Sequence, residues 1–157
     1  DIVQILPFGI SGMKPILIAC VASVIPFAAL ADHVLGGADI ANGEAVYAET
    51  CASCHGARFE GQPDWQSPGP DGVMPAPPHD ETGHTWHHDS QLLFDYTKFG
   101  GQAALEARGV KGFTSGMPAF EEVLSAAEIR DVLGFIRSTW PDRVQEVQDM
   151  RSHQSGG

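Results

Sequence analysis

Cys51-Ala52-Ser53-Cys54-His55 reads C-x-x-C-H, the attachment signature of a covalently bound c-type haem. Two thiols one helical turn apart reach the two vinyl groups of a porphyrin as thioethers, and the histidine that follows comes up beneath the ring to ligate iron. A zinc half-site would need a second ligand pair at suitable spacing, and the only other cysteine is Cys20. A thioredoxin-like dithiol would leave the histidine unused. Haem attachment alone employs all five positions.

Upstream, Met13-Lys14 precedes an apolar run from Ile16 to Ala29 and the small-residue pattern Ala29-Leu30-Ala31. This reads as a secretory signal peptide over 13–31. Residues 1–12 carry no lysine or arginine and read as an over-extended start, with translation beginning at Met13. An uncleaved membrane anchor is the first rival, but the apolar run is short of the ~20 residues that span a bilayer, and Pro15 and Pro26 interrupt it. A lipoprotein box at Leu17-Ile18-Ala19-Cys20 is the second, weakened because no apolar stretch of normal length precedes it.

Cleavage after Ala31 leaves a length suited to one domain, 32–142, followed by a polar tail, 143–157. The chain holds 9 basic and 20 acidic residues, a net charge of −11, which excludes nucleic acid as a partner. Both cysteines of the mature domain are consumed by the haem, so no disulfide staples the fold. The haem itself must complete the core.

Asn42 is positioned to cap a short helix that carries Gly43 and Tyr47 toward Cys51. A glycine four residues before an aromatic lets a second helix approach while the ring packs beside it. From Gly56 to Asp89 the sequence has six prolines and five glycines with no periodic apolar pattern, the mark of a long irregular loop that wraps the haem edge. A second helix is expected over 90–99, capped by Asp89 or Ser90, with Leu93, Phe94, Tyr96 and Thr97 available to the ring. Gly100-Gly101 should end it.

The clearest helix follows Ser125, where Ser125 and Glu128 form a capping box. Ile129, Val132, Leu133, Ile136 and Trp140 recur there at helical spacing, and Pro141 stops the pattern. The tail from Arg143 is expected to add a short polar helix. Without strand alternation or hairpin signals, the fold class is all-α, with three or more short helices around one haem.

The sixth iron ligand decides the chemistry, because an open position binds gases or peroxide whereas a methionine closes it for electron transfer. Met74-Pro75 and Met117-Pro118 compete, both in glycine-rich loops and both followed by alanine. Met117 is favoured because it lies just ahead of the last helix, on a loop suited to cover the face opposite His55. Met74 belongs to the segment assigned to the haem edge, and Met150 lies in the tail.

Together these residues resemble the class I, mono-haem c-type cytochromes of bacteria, over roughly Asp39 to Trp140. The resemblance rests on Gly43 and Tyr47 leading into Cys51-Ala52-Ser53-Cys54-His55-Gly56, then Gly116-Met117-Pro118-Ala119-Phe120, then Leu133-Gly134-Phe135-Ile136 and Trp140. It implies a cytochrome c-like fold, one covalent haem c on Cys51 and Cys54, His55 as proximal ligand and Met117 as distal ligand. It further implies haem attachment outside the cytoplasmic membrane, hence a periplasmic protein, and a crossing of Gly43 and Tyr47 with the closing helix near Leu133 and Phe135.

In the family a proline carbonyl accepts the proximal histidine's other N–H. Pro77 and Pro78 are the preferred candidates, with Pro70 and Pro75 behind them. Where the family often places an apolar residue just after such a proline, this chain has His79-Asp80.

His79, His84, His87 and His88 crowd ten residues, a density that suits a second metal ion. The plainer role is donation of hydrogen bonds to the haem propionates by His84, Trp65 and Trp86. Glu121-Glu122 and Asp80-Glu81 lack an accompanying nucleophile and read as solvated carboxylates. The sequence therefore points to a one-electron carrier and not an enzyme, a monomer whose redox-protein donor and acceptor present basic or neutral docking faces. It would meet a membrane only if the N-terminal segment stays uncleaved. A haem with an open or displaceable distal position, acting on peroxide, nitric oxide or a sulfur species, is the alternative; a metal-binding module built on the histidine loop is the third.

Overall fold

The computed structural model describes residues 34–155. The expected signal segment, its rival readings, the early start and His33 lie outside the described residues. Helix α1 (Ile40–Val46) runs into a five-residue π-helical turn (Tyr47–Cys51) and the short α2 (Ala52–His55). After a long loop, broken only by a 3-10 turn (Thr85–His87), come α3 (Ser90–Phe99), α4 (Gly101–Ala107), α5 (Ala126–Ser138) and α6 (Asp142–Ser155). The described residues contain no named strand; an isolated parallel bridge joins Met74 to Ser115. The protein is all-α.

The core is the seam between α1 and α5. Ile129, Val132, Leu133 and Ile136 from α5 are buried with Val46, Tyr47, Leu124 and Trp140, each large apolar side chain contributing about 1.5–3 kcal/mol when withdrawn from water. Backbones meet at this crossing. A Cβ on Gly43 would collide with the Asp131 carbonyl and come within 2.8 Å of Phe135 Cβ, and one on Gly134 would lie 2.5 Å from Ala38 Cβ. Gly43 thus crosses α5 at Asp131 and Phe135, which lie one turn apart on either side of Leu133.

The start of α1 differs from expectation. Asp39 is the cap, its side chain accepting from the Asn42 N–H at 3.1 Å. Asn42 lies inside the helix and donates from Nδ2 to Asp131 Oδ2 at 2.8 Å, while Asp131 Oδ1 accepts from the Asp39 N–H at 2.8 Å. The competition was decided by tertiary contact: one carboxylate on α5 holds both Asp39 and Asn42.

Helix α3 begins and ends where the sequence places it, capped by Asp89 through the Leu92 N–H at 2.8 Å. Both halves of the capping box on α5 are made. Two elements exceed expectation. Gly100 ends α3 at φ +86, but Gly101 opens α4, an alanine-rich helix whose composition favours helix and whose Ala104 is buried. The tail forms a continuous helix through Ser155 and buries Val144 and Gln148. Gln148 Nε2 donates to Ser90 Oγ at 2.7 Å, and Arg137 pairs with Asp149 at 2.7 Å, so α6 is docked onto α3 and α5.

Candidate haem-binding site

The π-helical turn delivers the motif. The Ala52 N–H reaches back to the Tyr47 carbonyl, and the wider turn adds a residue to the helix just before the cysteines, a device frequent at functional positions. Cys51 and Cys54 are both free thiols, Cys51 partly buried and Cys54 exposed. Burial, with Cys54 beside it, pushes the Cys51 thiol up to about 11.

His55 is buried, and its Nδ1 lies 2.9 Å from the Pro77 carbonyl. A carbonyl only accepts, so Nδ1 carries the proton and Nε2 keeps the lone pair. Burial lowers the pKa of His55, opposed by the bond to Pro77. The ring is therefore held neutral, in the tautomer whose Nε2 ligates a metal.

Of the two preferred prolines, Pro77 makes this bond. Pro78 does not: its carbonyl faces Thr85, whose hydroxyl lies 3.5 Å away. The proline pair is brought in by a glycine that sequence reasoning passed over. Gly61 (φ +68) donates its N–H to the His55 carbonyl at 2.8 Å, and a Cβ there would come within 2.5 Å of Pro78 N and 2.7 Å of Pro77 C. Tyr47 adds a second tie, donating from its hydroxyl to the Gly56 carbonyl at 2.8 Å. Its ring packs against Phe59 and Phe135 at centroid distances of 4.6 and 5.9 Å.

The methionine segments are neighbours, which the sequence did not suggest. Met74 bridges Ser115, and its N–H donates to the Thr114 carbonyl at 3.0 Å; Ser115 is two residues from Met117. The Met117 carbonyl accepts from the Gly101 N–H at 3.1 Å and the Met117 N–H lies 3.3 Å from Ser115 Oγ, which in turn meets the Tyr96 hydroxyl at 2.7 Å. Both methionines are partly buried. Met150, at 55% exposure on α6, takes no part.

The four loop histidines do not gather into one site. His79 turns inward and stacks on His55, with ring centroids 3.9 Å apart. His87 packs on Trp86 at 3.7 Å, and His84 lies between Trp65 and His88 at 5.2 and 5.3 Å. Among the described residues no group of three or more His, Cys, Asp and Glu side chains is arranged to hold a metal ion. The Trp86 indole N–H donates to the Glu81 carbonyl at 3.3 Å. Trp65 stands at the loop surface against His84, with the ring planes 18° apart.

Two unpaired thiols on one turn, followed by a buried imidazole whose Nε2 lone pair is preserved, form the donor set that a covalent haem requires. The cytochrome c family profile matches residues 40–140 of the chain. The protein belongs to the cytochrome c family and is a haem electron-transfer protein carrying covalent haem c on its C-x-x-C-H motif. No curated protein and no solved structure matches the chain significantly. No helix among the described residues is long and apolar enough to cross a membrane.

Proposed function

We propose that the chain is a periplasmic class I cytochrome whose iron is held between His55 and Met117, passing single electrons between two redox proteins. The observation that carries the reading is the His55–Pro77 bond, which spends Nδ1 and leaves Nε2 for iron. When bound, the haem supplies an iron that alternates between ferrous and ferric states. The chain's part is placement and tuning: Pro77 strengthens His55 as a donor, and the burial of His55 keeps water from its ring.

Support for Met117 comes from its backbone, fixed on both sides by Gly101 and by the Ser115–Tyr96 pair. With His55 and Met117 both holding it, the iron would keep the same coordination in both oxidation states, and no substrate would need to reach it. The net charge of −11 favours donor and acceptor faces that are basic or neutral, since long-range attraction raises encounter rate without demanding tight binding. The reading includes a monomeric protein.

A second reading, with Met74 as the distal ligand, is favoured by the bridge that sets Met74 beside Ser115. Ferric and ferrous spectra of the haem-loaded protein, Met117→Ala and Met74→Ala separate the two. The ferric sulfur-to-iron charge-transfer band should vanish in Met117→Ala and persist in Met74→Ala. The reverse pattern transfers the ligand role to Met74, and a high-spin wild type that binds carbon monoxide rapidly on reduction replaces electron shuttling with ligand-binding or catalytic chemistry.

A further inference from the structure

His79 is built into the site more firmly than a space-filler needs to be. Its imidazole lies on that of His55 with centroids 3.9 Å apart and planes 19° from parallel. Its Nδ1 is 2.8 Å from Thr85 Oγ1. Its N–H donates to the Phe59 carbonyl at 2.9 Å, and its own carbonyl accepts from Trp140 Nε1 at 2.6 Å. Tyr47 meets the ring edge-on at a centroid distance of 6.3 Å. The residue is therefore anchored from the loop after His55, from the 3-10 turn and from the end of α5.

A hydrogen bond at one ring atom fixes that atom but leaves the tilt of the ring plane through it held by packing. The Pro77 carbonyl fixes Nδ1 of His55 in this way. A second flat ring at stacking distance opposes that tilt over the whole imidazole face, and Thr85 prevents the second ring from rotating in turn.

We propose that His79 is a positioning residue that sets the plane of the His55 imidazole by stacking on it; the proposal rests on the reading that His55 ligates iron. The orientation of an axial imidazole determines which iron d orbital it overlaps, and hence how unpaired spin is distributed around a low-spin ferric porphyrin. Leucine at this position would fill the space without fixing the plane.

The test is proton NMR of the ferric, haem-loaded protein, reading the four haem-methyl shifts in wild type, His79→Leu, His79→Phe and Thr85→Val. His79→Leu should change their order or spread. His79→Phe, which keeps a flat ring, should stay near wild type, and Thr85→Val should move the pattern in the direction of His79→Leu by a smaller amount. Unchanged patterns in His79→Leu and Thr85→Val overturn the proposal, as does a His79→Phe pattern matching His79→Leu. If His79→Leu does not mature, Thr85→Val decides by the same criterion. A high-spin wild type overturns the closed distal position proposed above but not His55 as ligand, and the same variants are then compared in their cyanide-bound, low-spin form; in either case unmoved variants overturn His79 alone.

Discussion

His55 and Met117 sit in regions built in opposite ways. Around His55 the chain is closed by backbone contacts: Gly43 against Asp131, Gly61 against the Pro77-Pro78 pair, and side-chain ties from Tyr47 and Trp140. Around Met117 most residues from 108 to 119 are exposed, and the segment is held by a single bridge to Met74 and by polar contacts through Ser115, Gln102 and Tyr96. One side is fixed by close packing, which admits no added volume. The other is a surface loop held largely by hydrogen bonds, closely packed at Gly100 and Gly101 and elsewhere free to yield.

One residue type placed in each region tests this contrast with the largest effect. Gly43→Ala drives a methyl into the Asp131 carbonyl, which is helix backbone and has no room to retreat. We expect a loss of about 2 kcal/mol or more in urea unfolding, even after the roughly 1 kcal/mol that alanine gains over glycine in a helix. Gly116→Ala meets Val73 Cγ1 at 2.8 Å, the tip of a partly exposed side chain, and comes into ordinary contact with the Met74 carbonyl oxygen at 3.8 Å. Its cost should stay within about 0.5 kcal/mol. Equal losses at the two sites would break the comparison.

A smaller effect tests the junction between the regions. Ser125 accepts from the Glu128 N–H at 3.2 Å, and Glu128 reciprocates to the Ser125 N–H at 2.8 Å, at the point where the methionine loop enters α5. Ser125→Ala should cost about 1 kcal/mol in the same unfolding measurement. The haem spectrum should be unaltered, because the cap supports the helix and touches neither His55 nor Met117.

A further effect concerns acid. Burial, then the neighbouring His84 and His87, push His88 down from 6.5 to about 4. The unfolded chain therefore binds a proton that the folded chain refuses between those values, and stability contributed by the neutral form is lost as pH falls from about 6.5 towards 4. His88→Gln should flatten the fall of Tm across that window. A slope as steep as that of wild type would show that His88 does not carry it.

Legibility followed the same division. Cys51, Cys54 and His55 announce themselves because thioether attachment and iron ligation fix residue type and spacing together. The capping box and the apolar period of α5 were legible because both are local. Pro77 was visible only as one of several prolines, since the choice depends on which carbonyl the loop brings to His55, and that depends on Gly61. The cap of α1 was misread at Asn42 because Asp39 and Asn42 offer similar local chemistry and a carboxylate 89 residues away decides between them. Helix α4 was missed because Gly100-Gly101 signals an end, whereas the close approach of Ser115 and Tyr96 requires glycine at the helix start.

The sequence by itself determined an all-α protein with covalent haem, because a five-residue motif and helical periodicity are properties of neighbouring residues. Only the tertiary structure decided that Pro77 orients His55, that His79 stacks on it, that the two methionine segments lie side by side and that α6 docks onto the domain. Each of these joins residues from separate segments. Such contacts depend on where the glycine crossings let one backbone approach another, a distance that no local pattern records.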